Sequence, residues 1–76
     1  MAKLPRISGE EMVRFLEREG FALIRIRDSH HVLQHGSLHT TVPVHGNRDL
    51  KIGTLRKVLR DVELSPTEFE RRLRGQ

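Results

Sequence analysis

FALIRIRDSHHVLQHGSLHTTVPV, running from Phe21 to Val44, sets the architecture: the pattern shifts there towards a period of two, and β-branched residues cluster. The stretch predicts three strands, at about Phe21–Arg27, His30–His35 and His39–Val44. Asp28-Ser29 and Gly36-Ser37 carry turn chemistry, so consecutive strands are expected to run antiparallel as a meander.

Outward from the strands the period changes to that of a helix. Before them, Ser8-Gly9-Glu10-Glu11 has capping-box spacing. Met12, Val13, Phe15 and Leu16 follow as an apolar stripe, and Gly20 stands where a helix would end. After them, Ile52, Leu55, Val58, Leu59 and Val62 recur at i, i+3, i+4 spacing and predict a second helix beginning near Lys51. Ser65-Pro66-Thr67-Glu68 reads as another capping box opening a short third helix anchored by Phe69 and Leu73, with Arg74 to Gln76 expected to fray. The order is helix, three-stranded meander, helix, short helix. Layer logic puts the helices on one face of the sheet, giving an α+β, double-stranded-RNA-binding-domain-like outline.

A chain of 76 residues has room for one domain and one modest core, here expected from about residue 4 to residue 73. It cannot enclose a large cofactor. A shallow surface site suits a polymer substrate, and 14 Lys+Arg against 10 Asp+Glu, with a sequence pI near 10.7, point to a polyanion. With three Phe and no Trp or Tyr, there is little material for a base-stacking platform. The absence of cysteine removes disulfides and thiolate metal sites, and makes a reducing cytoplasm the expected compartment. No apolar run approaches bilayer length, and the basic stretch Met1–Arg6 is not followed by the apolar segment of a signal peptide, so no membrane partner is expected.

Pairing His35 with His39 would place Val32 opposite Val42 and His30 opposite Val44 on one apolar face, joined by Ala22, Ile24 and Ile26 of the first strand. On that register His30 lies on the helix-covered side, at the rim where the core opens to solvent. Meander topology brings Arg27, Ser29, His30, His45 and Lys51 to one end of the sheet, beside the start of the second helix. Metal-free RNA cleavage needs a base for the 2′-hydroxyl proton, an acid for the leaving 5′-oxygen, and positive groups for the phosphorane. An imidazole, guanidinium and ammonium groups, and a helix N-terminus answer those needs. The plainer alternative is a half-buried histidine that merely hydrogen-bonds a loop.

No cofactor or metal is expected. Histidines four apart along a strand stand about 13 Å apart at ~3.3 Å per residue, which leaves only His35 with His39 near enough to share an ion, with no carboxylate at ligand spacing. Arg56, Lys57 and Arg60 either track a phosphate backbone or form a solvated helix face.

Glu19-Gly20-Phe21, Asp28-Ser29-His30, Thr41-Val42-Pro43-Val44-His45-Gly46 and Leu50-Lys51-Ile52-Gly53-Thr54-Leu55-Arg56 together resemble the HicA family of toxins, over nearly the whole chain. The resemblance implies the toxin of a type II toxin–antitoxin pair, a small mRNA interferase silenced by a HicB-type antitoxin. Any contact with DNA would come only through the antitoxin. The resemblance also implies that His30, the last residue of a Gly-Ser-His motif, is the catalytic residue. Two positions depart from the family pattern. Asp28 replaces the motif glycine, and its carboxylate either favours a cationic His30 or repels RNA. Ile52 stands where proline is frequent, a change expected to be nearly neutral. His31 is the competing imidazole, since a one-residue slip of register exchanges the two. The rival functional class is a non-catalytic RNA-binding or partner-binding module on the same fold.

Overall fold

The computed structural model describes residues 4–75, so the basic N-terminal Met1–Lys3 and the frayed end expected at Gln76 lie outside the described residues. The first helix, α1 (Gly9–Arg18), opens with the full capping box: Ser8 Oγ accepts the Glu11 N–H at 3.1 Å, and Glu11 Oε1 accepts the Ser8 N–H at 2.9 Å. Its apolar stripe, Met12, Val13, Phe15 and Leu16, is buried. Gly20 reverses the chain at φ +99°, a conformation that disfavours a Cβ.

Three strands follow: β1 (Ala22–Arg27), β2 (His30–His35) and β3 (Leu38–Pro43), paired antiparallel in the order β1-β2-β3. The next two helices are α2 (Ile52–Asp61) and α3 (Pro66–Leu73). The result is the expected α+β arrangement of a double-stranded-RNA-binding-domain-like fold. Its core joins α1, α2 and Phe69 of α3 to Leu33 and Val42 of the sheet. Phe69 packs edge-on against Phe15 with ring centroids 5.0 Å apart, and Arg72 Nη1 reaches Glu19 Oε1 at 2.7 Å, so α3 closes back onto α1. Among the described residues no helix is long and apolar enough to cross a membrane.

The strand register differs from the expected one by a single residue. The loop Gly36-Ser37 has two residues, with Gly36 at φ +61°, and β3 begins at Leu38. Hence His35 pairs with Leu38, Val32 with Thr41 and His30 with Pro43, not with His39, Val42 and Val44. Because side chains alternate across a strand, this slip reverses the faces of β2. Leu33 and Val42 are fully buried beneath the helices, whereas Val32 is half-buried on the opposite face. A bulge between Leu23 and Arg25 compounds the change. Leu23 stands opposite Leu33, and Ala22, Ile24 and Ile26, expected in the core, are all exposed.

Three helix details also differ. Ser65 Oγ accepts the Glu68 N–H at 3.1 Å, but the Glu68 carboxylate binds Arg71 and Arg72 and does not return to the cap, so the second capping box is only half formed. Ile52, counted in the apolar stripe of α2, is 53% exposed. Arg74 and Gly75, expected to fray, close α3 through N–H bonds to Glu70 O at 3.3 Å and Arg72 O at 2.9 Å.

Candidate functional site

The β1–β2 hairpin turns through Asp28 and Ser29, between the paired residues Arg27 and His30. Asp28 has φ +55°, in the left-handed region where glycine is easiest and aspartate is among the better-tolerated alternatives. The half-buried Ser29 holds the end of β3, its carbonyl accepting the Val44 N–H at 2.7 Å. That bond ties the hairpin loop to the segment leading into α2.

On the observed register, Arg25 and Arg27 of β1, His30 and Val32 of β2 and Thr41 of β3 fall on the face that carries no helix. This is a correction to the expected placement of His30 on the helix-covered side. With Asp28 these residues line an open depression of about 360 Å³. His30 is exposed within it, and two guanidiniums outnumber the one carboxylate. Neither Arg25 nor Arg27 forms an ion pair among the described residues, so both charges are available to an incoming anion.

His45 and Lys51 lie together, but in a second depression of about 250 Å³ that also includes Pro43, Arg48, Asp49 and Thr54. Pro43 connects the two, as it pairs with His30 across the sheet and lines the second hollow. Lys51 is the N-cap of α2, makes no side-chain capping bond, and is followed by a first turn without an acidic residue. That segment is moored by Leu50 N–H to Ile7 O at 2.8 Å and by a bridge between Ser8 and Asp49. The expected single cluster is therefore two adjoining ones. Arg56 belongs to neither and lines an apolar groove with Leu4, Leu59 and Leu64.

Arg25 and Thr41 were missed from the sequence. Arg25 shares the parity of Arg27, which is the signal that was available; Thr41 becomes visible only once β2 and β3 are paired in the observed register.

The other histidines go elsewhere. His31 is half-buried on the helix side between Ile26 and Val42, and its Nδ1 is buried without a hydrogen-bond partner among the described residues. His35 packs against Phe21 with ring centroids 5.4 Å apart. His39 is paired with Gln34, one step out of register with His35, so the two alternate to opposite faces and the suggested shared ion has no geometry. Among the described residues no group of three or more metal-binding side chains is present. Near His39, Asp61 accepts the buried Thr40 hydroxyl at 2.9 Å and Lys57 Nζ at 3.0 Å. Burial pushes the Asp61 carboxyl up, but those two bonds outweigh it and hold the group below its ordinary value.

A family model described as HicA toxin of bacterial toxin-antitoxin matches residues 9–64, which span α1 through α2 and end just before α3. No curated protein matches the chain.

Proposed function

Because the chain belongs to the HicA toxin family of bacterial toxin–antitoxin systems, we propose that it is a metal-independent endoribonuclease that cuts mRNA and is restrained by a HicB-type antitoxin protein. The observation that carries this reading is the exposed His30 on a helix-free sheet face beside two guanidiniums, Arg25 and Arg27, that form no ion pair among the described residues. Flexible RNA can reach such an open site, and a phosphodiester laid along it would meet cationic groups beside the imidazole.

The chemistry is transesterification. The ribose 2′-oxygen loses its proton and attacks phosphorus, the bond to the 5′-oxygen breaks, and that oxygen takes a proton. The products end in a 2′,3′-cyclic phosphate and a 5′-hydroxyl. His30 performs one of the two proton transfers. Arg25 and Arg27 hold the phosphate and stabilise the charge of the phosphorane, and Ser29 supports the loop that presents His30. His45 and Lys51 receive a neighbouring phosphate in the adjoining hollow. Arg56, on the far groove, has no part in this arrangement.

His31 is the weaker candidate, since its Nδ1 is buried beneath the helices, away from any polymer. The test is incubation of the full chain with mRNA in the presence of a chelator. Cleavage is expected for the wild-type chain and is expected to fall about 10²–10⁴-fold in His30→Ala, with the melting temperature unchanged because His30 is exposed. Undiminished cutting by that variant removes His30 from the mechanism. Salt-sensitive RNA binding that yields no product ends would make the domain a binding module instead.

A further inference from the structure

We propose that the free edge of β1 is the docking strand for the antitoxin, and that it receives an extended segment in which acidic and apolar side chains alternate. The inference rests on the family's toxin–antitoxin pairing and is independent of whether His30 cuts RNA.

The sheet has two edge strands, β1 and β3, and their side chains are buried to different extents. β3 lies against α2, with Thr40 and Val42 fully buried. Every residue of β1 is exposed. Three large apolar side chains stand on this open strand: Leu23 at 36%, Ile24 at 55% and Ile26 at 57% exposure. Leu23 and Ile26 share the helix-side face with Leu33 and His31, at the margin of the core. Arg25 and Arg27 alternate with them on the opposite face. An unpaired strand edge with an apolar side is a template for main-chain pairing, and its side-chain pattern specifies what is added. Here the complement is apolar against Leu23 and Ile26, and acidic against Arg25 and Arg27.

A second copy of the chain is a poor occupant. Any pairing of two β1 strands that keeps their apolar sides together also sets Arg25 and Arg27 of one against Arg25 and Arg27 of the other, and like charges across a strand pair are destabilising. RNA would be drawn to the arginines but gains nothing from the isoleucine side. A protein strand with carboxylates on one face uses both.

Continuity with the candidate site gives the docking a consequence. Arg25 and Arg27 line the His30 depression, so carboxylates paired with them would cancel the charge that draws the phosphate. Binding and silencing become one event.

The experiment uses the full chain and its cognate HicB-type antitoxin. Amides across residues 24–27 are expected to gain at least about tenfold protection from hydrogen exchange in the complex. Ile26→Asp, an exposed change outside the depression, is expected to weaken the complex by about 10²-fold or more while the variant alone cuts RNA as the wild type does. Should Ile26→Asp lose its fold, Ile26→Thr keeps the strand-favouring branched shape and is expected to weaken binding in the same direction. A complex whose affinity and β1 exchange are unaffected overturns this inference alone. Absence of any complex with the wild-type chain overturns the partner half of the proposed function along with it. A β1-to-β1 dimer of the isolated chain would assign the edge to self-association instead.

Discussion

At the scale of single residues, Asp28 is explained by backbone geometry. Its φ of +55° accounts for a glycine in the family motif without any reference to charge, and aspartate is a side chain that tolerates the conformation. The carboxylate nevertheless lines the same depression as Arg25, Arg27 and His30. Asp28→Gly is therefore expected to leave stability within about 1 kcal/mol, because relief of strain and greater unfolded-chain entropy oppose each other. The same change should tighten RNA binding, read as a lower dissociation constant at fixed salt. Asp28→Val, with a branched side chain at positive φ, should lower stability by about 1–2 kcal/mol in denaturant unfolding. The two adjacent histidines are expected to part company as well. His31→Leu removes a buried nitrogen that lacks a partner, and should stabilise the domain by about 1 kcal/mol without loss of cleavage. His30→Ala should leave stability unchanged and lower cleavage about 10²–10⁴-fold.

At the scale of elements, α1 meets the end of β3 through a glycine. A Cβ on Gly9 would lie 2.1 Å from the Pro43 carbonyl oxygen, with backbone atoms on both sides of the contact. Gly9→Ala is accordingly expected to cost about 1–3 kcal/mol and, by shifting Pro43, to lower cleavage from a site it never touches; thermal unfolding and a turnover assay on the same sample check both. Three carboxyls in or beside the helices contribute to stability in acid. Glu11 is held below its ordinary 4.5 by the Ser8 backbone N–H in the α1 cap, and Glu68 is held below 4.5 by Arg71 and Arg72. Asp61 lies below its ordinary 3.8 because the Lys57 and Thr40 bonds overcome the effect of its burial. A carboxyl whose folded value is lowered is harder to protonate in the native state than in the unfolded chain. Its contribution is thus complete above the ordinary value and is lost as pH falls through the lower folded value. The contribution of these three carboxyls to stability should be complete near neutrality and decline below 4.5, and further below 3.8. Asp61→Asn should remove part of the lower decline.

For the whole molecule, the family match ends at residue 64, yet the core does not. Phe69 of α3 is fully buried against Phe15, and Leu73 packs against the same cluster. Phe69→Ala is expected to cost about 3–5 kcal/mol, a large share of what a small domain has to lose. Removal of α3 should leave a chain that melts near or below room temperature, which circular dichroism would show. The sheet divides the molecule into a helix side that holds it together and an open side that presents Arg25, Arg27 and His30.

Element order, strand count, the cap of α1 and basic character are written in local pattern. Ser8 with Glu11, the period-two run from Phe21, and the helical recurrence from Leu55 to Val62 each depend on neighbours a few residues away, so they can be read from the order of residues alone. The motif around His30 is likewise contiguous. The face on which His30 stands is a different kind of quantity. Both parities of β2 carry apolar and histidine side chains, with Val32 on one and Leu33 on the other, and a one-residue difference in the Gly36-Ser37 loop chooses between them. Packing between distant segments makes that choice, because Leu33 and Val42 beneath α1 and α2 exclude His30 from that side and leave it, with Arg25 and Thr41, on the face that carries no helix.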